Sequence, residues 1–362
     1  MANGPSGCNP GGWIAPSIGT GVGAKLALSA RAPMVSRPGA TMLNVSLRYD
    51  LRFPSFAPGT HAERYAACLD QCAWADDAGF RSVTLCEHHG VADGFMSAPL
   101  TIAAAVAART RRVGISIVAA LLPLHDPIRF AEQCAAIQLI SNGRLMLVAG
   151  LGYRSEEFEM AGIDRAQRGR LLEEHLTVMQ KAWSGEPFEW RGRTVQVTPR
   201  PPAPPVVYVG GSTENAARRA ARLGAGFFPA IDDAGLAEIY RRECADRGLR
   251  PGPVVLPRGP GFIHVSEDPE GDWERILPYA MHEATTYASW QQTGQRSTVR
   301  VDAKTPEELR ASGGYVVVTP DQCAEIARRD GGIVLHPLMG GMPAELGWQS
   351  LRLFQAKVLP QL

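Results

Sequence analysis

Three ionisable side chains in a row, Glu87-His88-His89, follow the apolar run Ser82 to Cys86 and are the clearest chemical signal in the chain. An unperturbed imidazole titrates at about pH 6.5, so a neutral histidine facing a pocket can give or take a proton near neutrality. Side chains alternate across an extended segment, which sets His88 and His89 on opposite sides. They therefore do not share one metal ion, and the first strand-like run offers Asn44-Val45-Ser46 where a hydrolase-type metal centre wants an H-x-H pair. No metal is expected, and one member of the pair is free to be a packed residue that fixes the loop.

Further stations lie downstream. Leu121-Leu122-Pro123-Leu124-His125-Asp126-Pro127 turns an apolar run into a helix, with Asp126 as N-cap and Pro127 as the first helical residue. His125 belongs either to that turn or to a pocket. Gly150-Leu151-Gly152-Tyr153-Arg154-Ser155-Glu156-Glu157 opens with small residues that let a flat ring or a backbone approach closely, and Tyr153 can line such a ring. Its acids start a helix and argue against phosphate at that spot. Val206-Val207-Tyr208-Val209 runs into Gly210-Gly211-Ser212-Thr213 and then a helix over Ala216 to Leu223. Bare backbone N–H groups, hydroxyls and a helix N-terminus suit a cofactor phosphate. A tight, capped barrel turn is the other reading, and Glu214 speaks for it.

These stations need a scaffold that gathers strand ends. β-branched runs alternate with segments of helical period, the pattern of repeated βα units around a parallel sheet. Eight runs are assigned, near Leu43 to Leu47, Ser82 to Cys86, Val113 to Ala120, Leu145 to Ala149, Val206 to Val209, Gly226 to Pro229, Gly261 to Val265 and Gly332 to His336. Between them lie helical faces such as Tyr65, Leu69, Cys72 and Ala73, then Ile128, Ala131, Cys134, Ala135 and Leu139, then Leu171, Leu172, His175, Leu176, Met179 and Trp183. Eight strands without a dinucleotide fingerprint after the first imply an α/β fold of the (β/α)8 TIM-barrel type, with functional groups at the carboxyl ends of the strands. Insertions are expected after strands 4 and 7. Glu186 to Pro205 reads as a small hairpin and a stiff return, and Asp268 to Gly314 as a lid, a substrate wall or a decorative loop.

The bulk numbers exclude several classes. Lys plus Arg total 37 against Asp plus Glu 36, interspersed along the chain, so neither nucleic acid nor an anionic membrane is the expected partner. No apolar run approaches the roughly 20 residues of a membrane span. The 7 cysteines are scattered and odd in number, which points to a reduced, cytoplasmic protein; Cys68 and Cys72 at i, i+4 read as core packing. Residues 1–41 lack Asp and Glu, are rich in Gly, Pro, Ser and Ala, and form a flexible leader expected to be disordered, ahead of a barrel over 42–362. Met42 stands where an alternative start would fall.

Taken in order, these motifs resemble the luciferase-like monooxygenases, barrels that bind reduced flavin or the deazaflavin F420. The resemblance rests on Glu87-His88-His89, Leu122-Pro123-Leu124-His125-Asp126-Pro127 with Arg129, Ala131 and Glu132, Ser141-Asn142-Gly143-Arg144, Gly150 to Arg154 with Glu157-Phe158, Gly210-Gly211-Ser212, and the tail from Leu351 to Pro360. It implies a flavin ring across the barrel mouth, its phosphate at Gly210, Gly211 and Ser212, His88 as the catalytic imidazole, and a non-prolyl cis peptide near Val118-Ala119 under the ring. Gly150, Gly152 and Tyr153 complete the implied cofactor contacts. His89, Phe95, Met96, His125 and Trp290 are the expected substrate wall. The implied activity is oxidation of a small organic substrate by reduced FMN and molecular oxygen, with a separate flavin reductase as partner. A homodimer is a family expectation. F420-dependent hydride transfer is the alternative, followed by a flavin-binding protein without turnover and a metal-dependent barrel hydrolase. Gly150 and Leu151 stand where bacterial luciferase has a reactive Cys and a phosphate-binding Arg, so light emission is not implied.

Overall fold

The computed structural model describes Met1 and residues 44–290, 292, 296–298 and 300–362. The chain divides into two units, Met1–Met42 and Leu43–Leu362, and every element below belongs to the second. The expected leader, apart from Met1, lies outside the described residues, as do Met42 and Leu43.

The strands are β1 (Asn44–Tyr49), β2 (Ser82–Leu85), β3 (Gly114–Ala120), β4 (Leu145–Ala149), the short β5 (Phe188–Trp190) and β6 (Arg193–Val195), then β7 (Val206–Gly211), β8 (Gly226–Pro229), β9 (Phe262–Val265), β10 (Tyr315–Val318) and β11 (Gly332–Leu335). Seven form one sheet in the order β11-β1-β2-β3-β4-β7-β8, and every pairing in it is parallel. The helices are α1 (His61–Asp77), α2 (Pro99–Arg109), α3 (Pro127–Ser141), α4 (Ser155–Ala161), α5 (Arg168–Ala182), α6 (Glu214–Arg222), α7 (Ala234–Asp246), α8 (Pro269–Ser289), α9 (Pro306–Ala311), α10 (Pro320–Asp330) and α11 (Ala344–Leu353).

The closed eight-strand ladder expected from the sequence is corrected here. β9 pairs with β10 in a separate parallel sheet, and neither joins the ladder of seven. Hydrogen bonding at the edges gives the reason. The outer edge of β8 is occupied by an irregular segment, with Phe227 N–H donating to Pro253 O at 3.0 Å and Val255 N–H to Phe227 O at 3.1 Å. β9 lies beside β11 but gives its ladder bonds to Tyr315–Val318, a run of four residues that the sequence reading did not assign as a strand. The sheet is therefore curled and parallel without a continuous ring of strands. Between β4 and β7 stands the antiparallel β5–β6 hairpin, turning through Arg191 and Gly192 at positive φ of 49° and 69°.

Helix packing follows the apolar periodicity on α5 and is rotated in register on α3 and on α1, where Arg64, Cys68, Gln71, Cys72 and Ala75 are buried and Tyr65, Leu69 and Ala73 only partly so. On α5, Leu171, Leu172, His175, Leu176 and Met179 are buried as expected, and so is Trp183 just beyond. On α3 the buried stripe is Phe130, Ala131, Cys134, Ala135, Ile137 and Gln138, while Leu139 is 45% exposed. Each fully buried Leu or Met contributes about 1.5–3 kcal/mol over its exposed state. The six described cysteines are free and buried, Cys68 and Cys72 among them. Asp126 caps α3 by accepting from Ile128 N–H at 3.0 Å and Arg129 N–H at 2.9 Å, with Pro127 at the first helical position.

In a parallel sheet all strands end on one side. The segments following β1, β2, β4 and β7, with the last residues of β3, therefore share one rim.

Candidate active site

His88 and His89 leave β2 on opposite sides, as an extended chain requires. The His88 ring nitrogens are both engaged: Nδ1 lies 2.8 Å from Glu157 Oε1 on α4, and Nε2 lies 3.0 Å from the Tyr153 hydroxyl. The ring centre is 4.8 Å from that of Phe95 and 4.9 Å from that of Trp290, so the imidazole is walled by aromatics and only 6% exposed. Burial pushes the His88 pKa down, and the Glu157 carboxylate works against that; the net shift is downward. Glu157 also accepts the His89 backbone N–H at 2.9 Å, and its second oxygen is buried without a partner.

On the other side, Glu87 joins both remaining histidines. Its Oε1 is 2.9 Å from His89 Nε2 and 2.5 Å from His125 Nε2, while Oε2 accepts Leu121 N–H at 2.8 Å. Burial would raise the Glu87 pKa, but hydrogen bonds from His125 and His89 outweigh it and hold the value at about 2. The Glu87 hydrogen bond raises the His89 pKa in turn. The ligand atoms of Glu87, His89 and His125 lie within 4.8 Å of one another, a grouping capable of holding a metal ion. Spacing along the chain does not reveal it, because His125 reaches Glu87 only when β2 and the segment after β3 become neighbours.

A second cluster was also missed. Arg52, just past β1, is wholly buried, with Nε 3.2 Å from Asp50 Oδ2 and Nη1 3.0 Å from Asp93 Oδ2. Its guanidinium carbon sits 4.8, 4.5 and 4.8 Å from the ring centres of Phe95, Tyr287 and Trp290. His336 after β11 approaches Asp50 at 3.5 Å and Glu283 at 3.7 Å. Burial would raise the Asp50 pKa, yet His336, Arg52 and Arg48 hold it far below the usual carboxylate range. The available signal was positional: Asp50 and Arg52 are charges placed directly after a strand expected to be buried.

Trp290 caps the C-terminal end of α8 and arrives over His88, with the Arg154 guanidinium 4.6 Å from its ring centre. Gln292 Nε2 donates to Tyr153 O at 2.8 Å. Phe95 faces this group, whereas Met96 is fully buried, its backbone bonded to Asp50 and His88. His89 and His125 are partly exposed beside each other, ring centres 6.0 Å apart.

Small residues line the adjoining rim. The register sets Ala120 opposite Ala149 and Ala149 opposite Val209, so Ala119, Gly150 and Gly210 follow one another across β3, β4 and β7. The Val118–Ala119 peptide is cis. A Cβ on Gly150 would meet Ala119 Cβ at 2.7 Å, and Gly152 has φ +72°. Gly211, at φ +142°, would bring a Cβ within 2.7 Å of Ala216. Thr213 caps α6 through Ala216 N–H at 3.3 Å, and the Ser212 side chain has no protein partner among the described residues. Backbone N–H groups, a bare hydroxyl and a helix start thus stand together beside the small-residue ledge, a donor set that fits a phosphate next to a flat ring. Arg168, in the first turn of α5, has its pKa lowered by burial and by the neighbouring Arg165 and Arg219, while Arg219 and Arg222 of α6 are both paired with Glu173.

A curled parallel sheet with ionisable groups gathered past the strand ends defines an α/β protein of half-barrel architecture. The chain belongs to the luciferase-like monooxygenase family, whose model matches residues 51–329. It is 28% identical over 147 residues to the oxygenase component of flavin-dependent trigonelline monooxygenase from Acinetobacter baylyi, covering 40% of this chain and 41% of the relative. It is 26% identical over 315 residues to F420-dependent glucose-6-phosphate dehydrogenase from Nakamurella multipartita, covering 81% and 91%. Other curated relatives are matched over only 29–45% of their own length. Among solved structures, monooxygenase RslO1 from Streptomyces bottropensis superposes with a TM-score of 0.71 at 22% identity, covering 88% of this chain and 99% of that one. The oxygenating constituent of 3,6-diketocamphane monooxygenase from Pseudomonas putida, in complex with FMN, gives 0.67 at 18%, covering 88% and 98%. At these identities the structures speak for the fold alone. No helix among the described residues is long and apolar enough to cross a membrane.

Proposed function

We propose that this protein is a flavin-dependent monooxygenase that uses reduced FMN and molecular oxygen to oxidise a small organic substrate. One observation carries the reading: the small residues Ala119, Gly150 and Gly210 lie side by side along the strand ends, leading to the donors at Gly211 and Ser212. A planar ring with a phosphate tail matches that layout. Bound FMN supplies the electrons for oxygen activation, and the protein supplies position and proton control.

In this reading Gly210, Gly211 and Ser212 hold the phosphate, with the first turn of α6 adding its partial positive charge. Val118, Ala119, Gly150, Gly152 and Tyr153 flank the ring. His88 holds or moves a proton, and Phe95 and Trp290 keep water from it. His89, Phe95, His125 and Trp290 form the substrate wall, and Met96, fully buried, anchors the chain that carries Phe95. A separate flavin reductase supplies the reduced cofactor in the cytoplasm, a division of labour supported by the trigonelline relative's description as an oxygenase component.

F420-dependent hydride transfer is the second reading, favoured by the relative matched over 81% of this chain. Titration of the purified protein with FMN, reduced FMN and F420, followed by fluorescence and melting temperature, decides between them. Preference for reduced FMN supports the monooxygenase; preference for F420 transfers the same rim to hydride chemistry; binding of none overturns both.

A further inference from the structure

Resting on that reading, we infer that Tyr153 is the group that exchanges a proton with the molecule reacting at the rim, with His88 as the proton reservoir behind it and Glu157 as the residue that positions His88.

His88 is poorly placed to act alone. Its ring is enclosed by Phe95 and Trp290, it is 6% exposed, and neither ring nitrogen is open: Glu157 takes Nδ1 and Tyr153 takes Nε2. Tyr153 is partly exposed, follows β4 three residues after Gly150, and sets its hydroxyl 3.0 Å from His88 Nε2. A proton passing between the rim and the imidazole therefore has the Tyr153 hydroxyl on its path.

The direction of each hydrogen bond follows from the donors available. Glu157 Oε1 accepts the His89 N–H, so it meets His88 as an acceptor, and His88 carries its proton on Nδ1. Nε2 is then a bare lone pair, and the Tyr153 hydroxyl donates to it. The phenol oxygen keeps its own lone pairs for a partner at the rim. When a rim group loses a proton, that proton bonds to the Tyr153 oxygen, the former Tyr153 proton moves to His88 Nε2, and imidazolium forms against Glu157. The reverse sequence delivers a proton, and no other reactant is consumed.

The charges around His88 suit a reservoir that returns to neutral. Glu157 on α4 favours the imidazolium, while Arg52 after β1 and Arg154 after β4 disfavour it. Phe95 and Trp290 add no charge. Burial raises the Tyr153 pKa, with Glu157 adding to the effect, so the phenol keeps its proton and relays instead of ionising.

The test begins on the full-length protein without cofactor, by 15N-histidine NMR, with the His88 signals assigned through His88→Gln. The relay requires the Nδ1–H form at neutral pH and a hydrogen-bonded Nε2. Tyr153→Phe, which keeps the ring, should shift Nε2 to the position of an unbonded imine nitrogen while leaving Nδ1 in place. Glu157→Gln should move the population toward the Nε2–H form. Reoxidation of reduced FMN on the protein is then followed across pH. Tyr153→Phe should slow its proton-dependent phase by about 100-fold, the usual scale of a lost acid or base, with FMN affinity within a few-fold. An Nε2–H form in the wild type, or unchanged Nε2 signals and pH profile in Tyr153→Phe, overturns the relay. If no flavin binds, the functional reading fails, and the NMR signals still decide the order of the Glu157–His88–Tyr153 chain.

Discussion

His88 sets its Nδ1 against Glu157 Oε1 across 2.8 Å, tying the loop after β2 to the helix after β4. The same carboxylate oxygen holds the His89 backbone N–H, so one buried side chain fixes both the orientation of the imidazole and the path of the chain that carries it.

Replacing His88 with Ala removes the proton group without touching the small-residue ledge. Cofactor binding should stay within a few-fold of wild type while turnover falls by about 100-fold or more. Binding titrations alongside steady-state rates check this, and unchanged turnover removes His88 from its role.

Glu157→Ala should destabilise the protein, because it strands the His89 N–H and the His88 Nδ1–H in a buried site. The expected loss is about 1–3 kcal/mol, the range for unsatisfied buried donors. Urea unfolding measures it.

The Glu87 cluster should write a particular pH dependence into stability. Glu87 has a folded pKa of about 2, below its ordinary value, so its contribution is present above the unfolded carboxylate pKa and is lost as pH falls toward about 2. His89 shifts the other way: with its pKa raised, its contribution is complete below the ordinary histidine pKa and disappears as pH rises through the folded value. Glu87→Gln should flatten both limbs. Urea midpoints of the two proteins across pH test this, and parallel curves would separate Glu87 from both effects.

Ser212→Ala should weaken FMN more than riboflavin, since only FMN presents a phosphate to that hydroxyl. A lost hydrogen bond to a charged group is worth about 1.5–3 kcal/mol, roughly 10-fold or more in affinity. Equal weakening of both ligands would move the phosphate elsewhere.

Gly211→Ala should cost about 1–3 kcal/mol, because its φ of +142° is unfavourable to a side chain and the new Cβ would press on Ala216 at 2.7 Å. Thermal unfolding reads the loss.

Much of the scaffold was legible because its signals are local. Asp126 before Pro127 specifies a capped helix start from adjacent residues, and the structure has that cap. The hairpin at Trp190 to Val195, the α5 stripe and the glycine-ended strand β7 leading into a helix likewise depend on neighbours along the chain. Tyr315–Val318 was less legible: a run of four residues carries little periodicity, and it becomes a strand by pairing with β9.

The site divides along the same line. By itself the sequence determined that Glu87, His88 and His89 follow a strand, that Gly210 to Ser212 precede a helix, and that alternation parts His88 from His89. Only the tertiary structure decided that His88 belongs to Glu157 and Tyr153, that His125 joins Glu87, that Arg52 is buried between Asp50 and Asp93, and that Trp290 closes over the imidazole. Backbone period and capping are set by the nearest few residues, whereas the partner of a buried charge is set by which distant elements exclude water from it together.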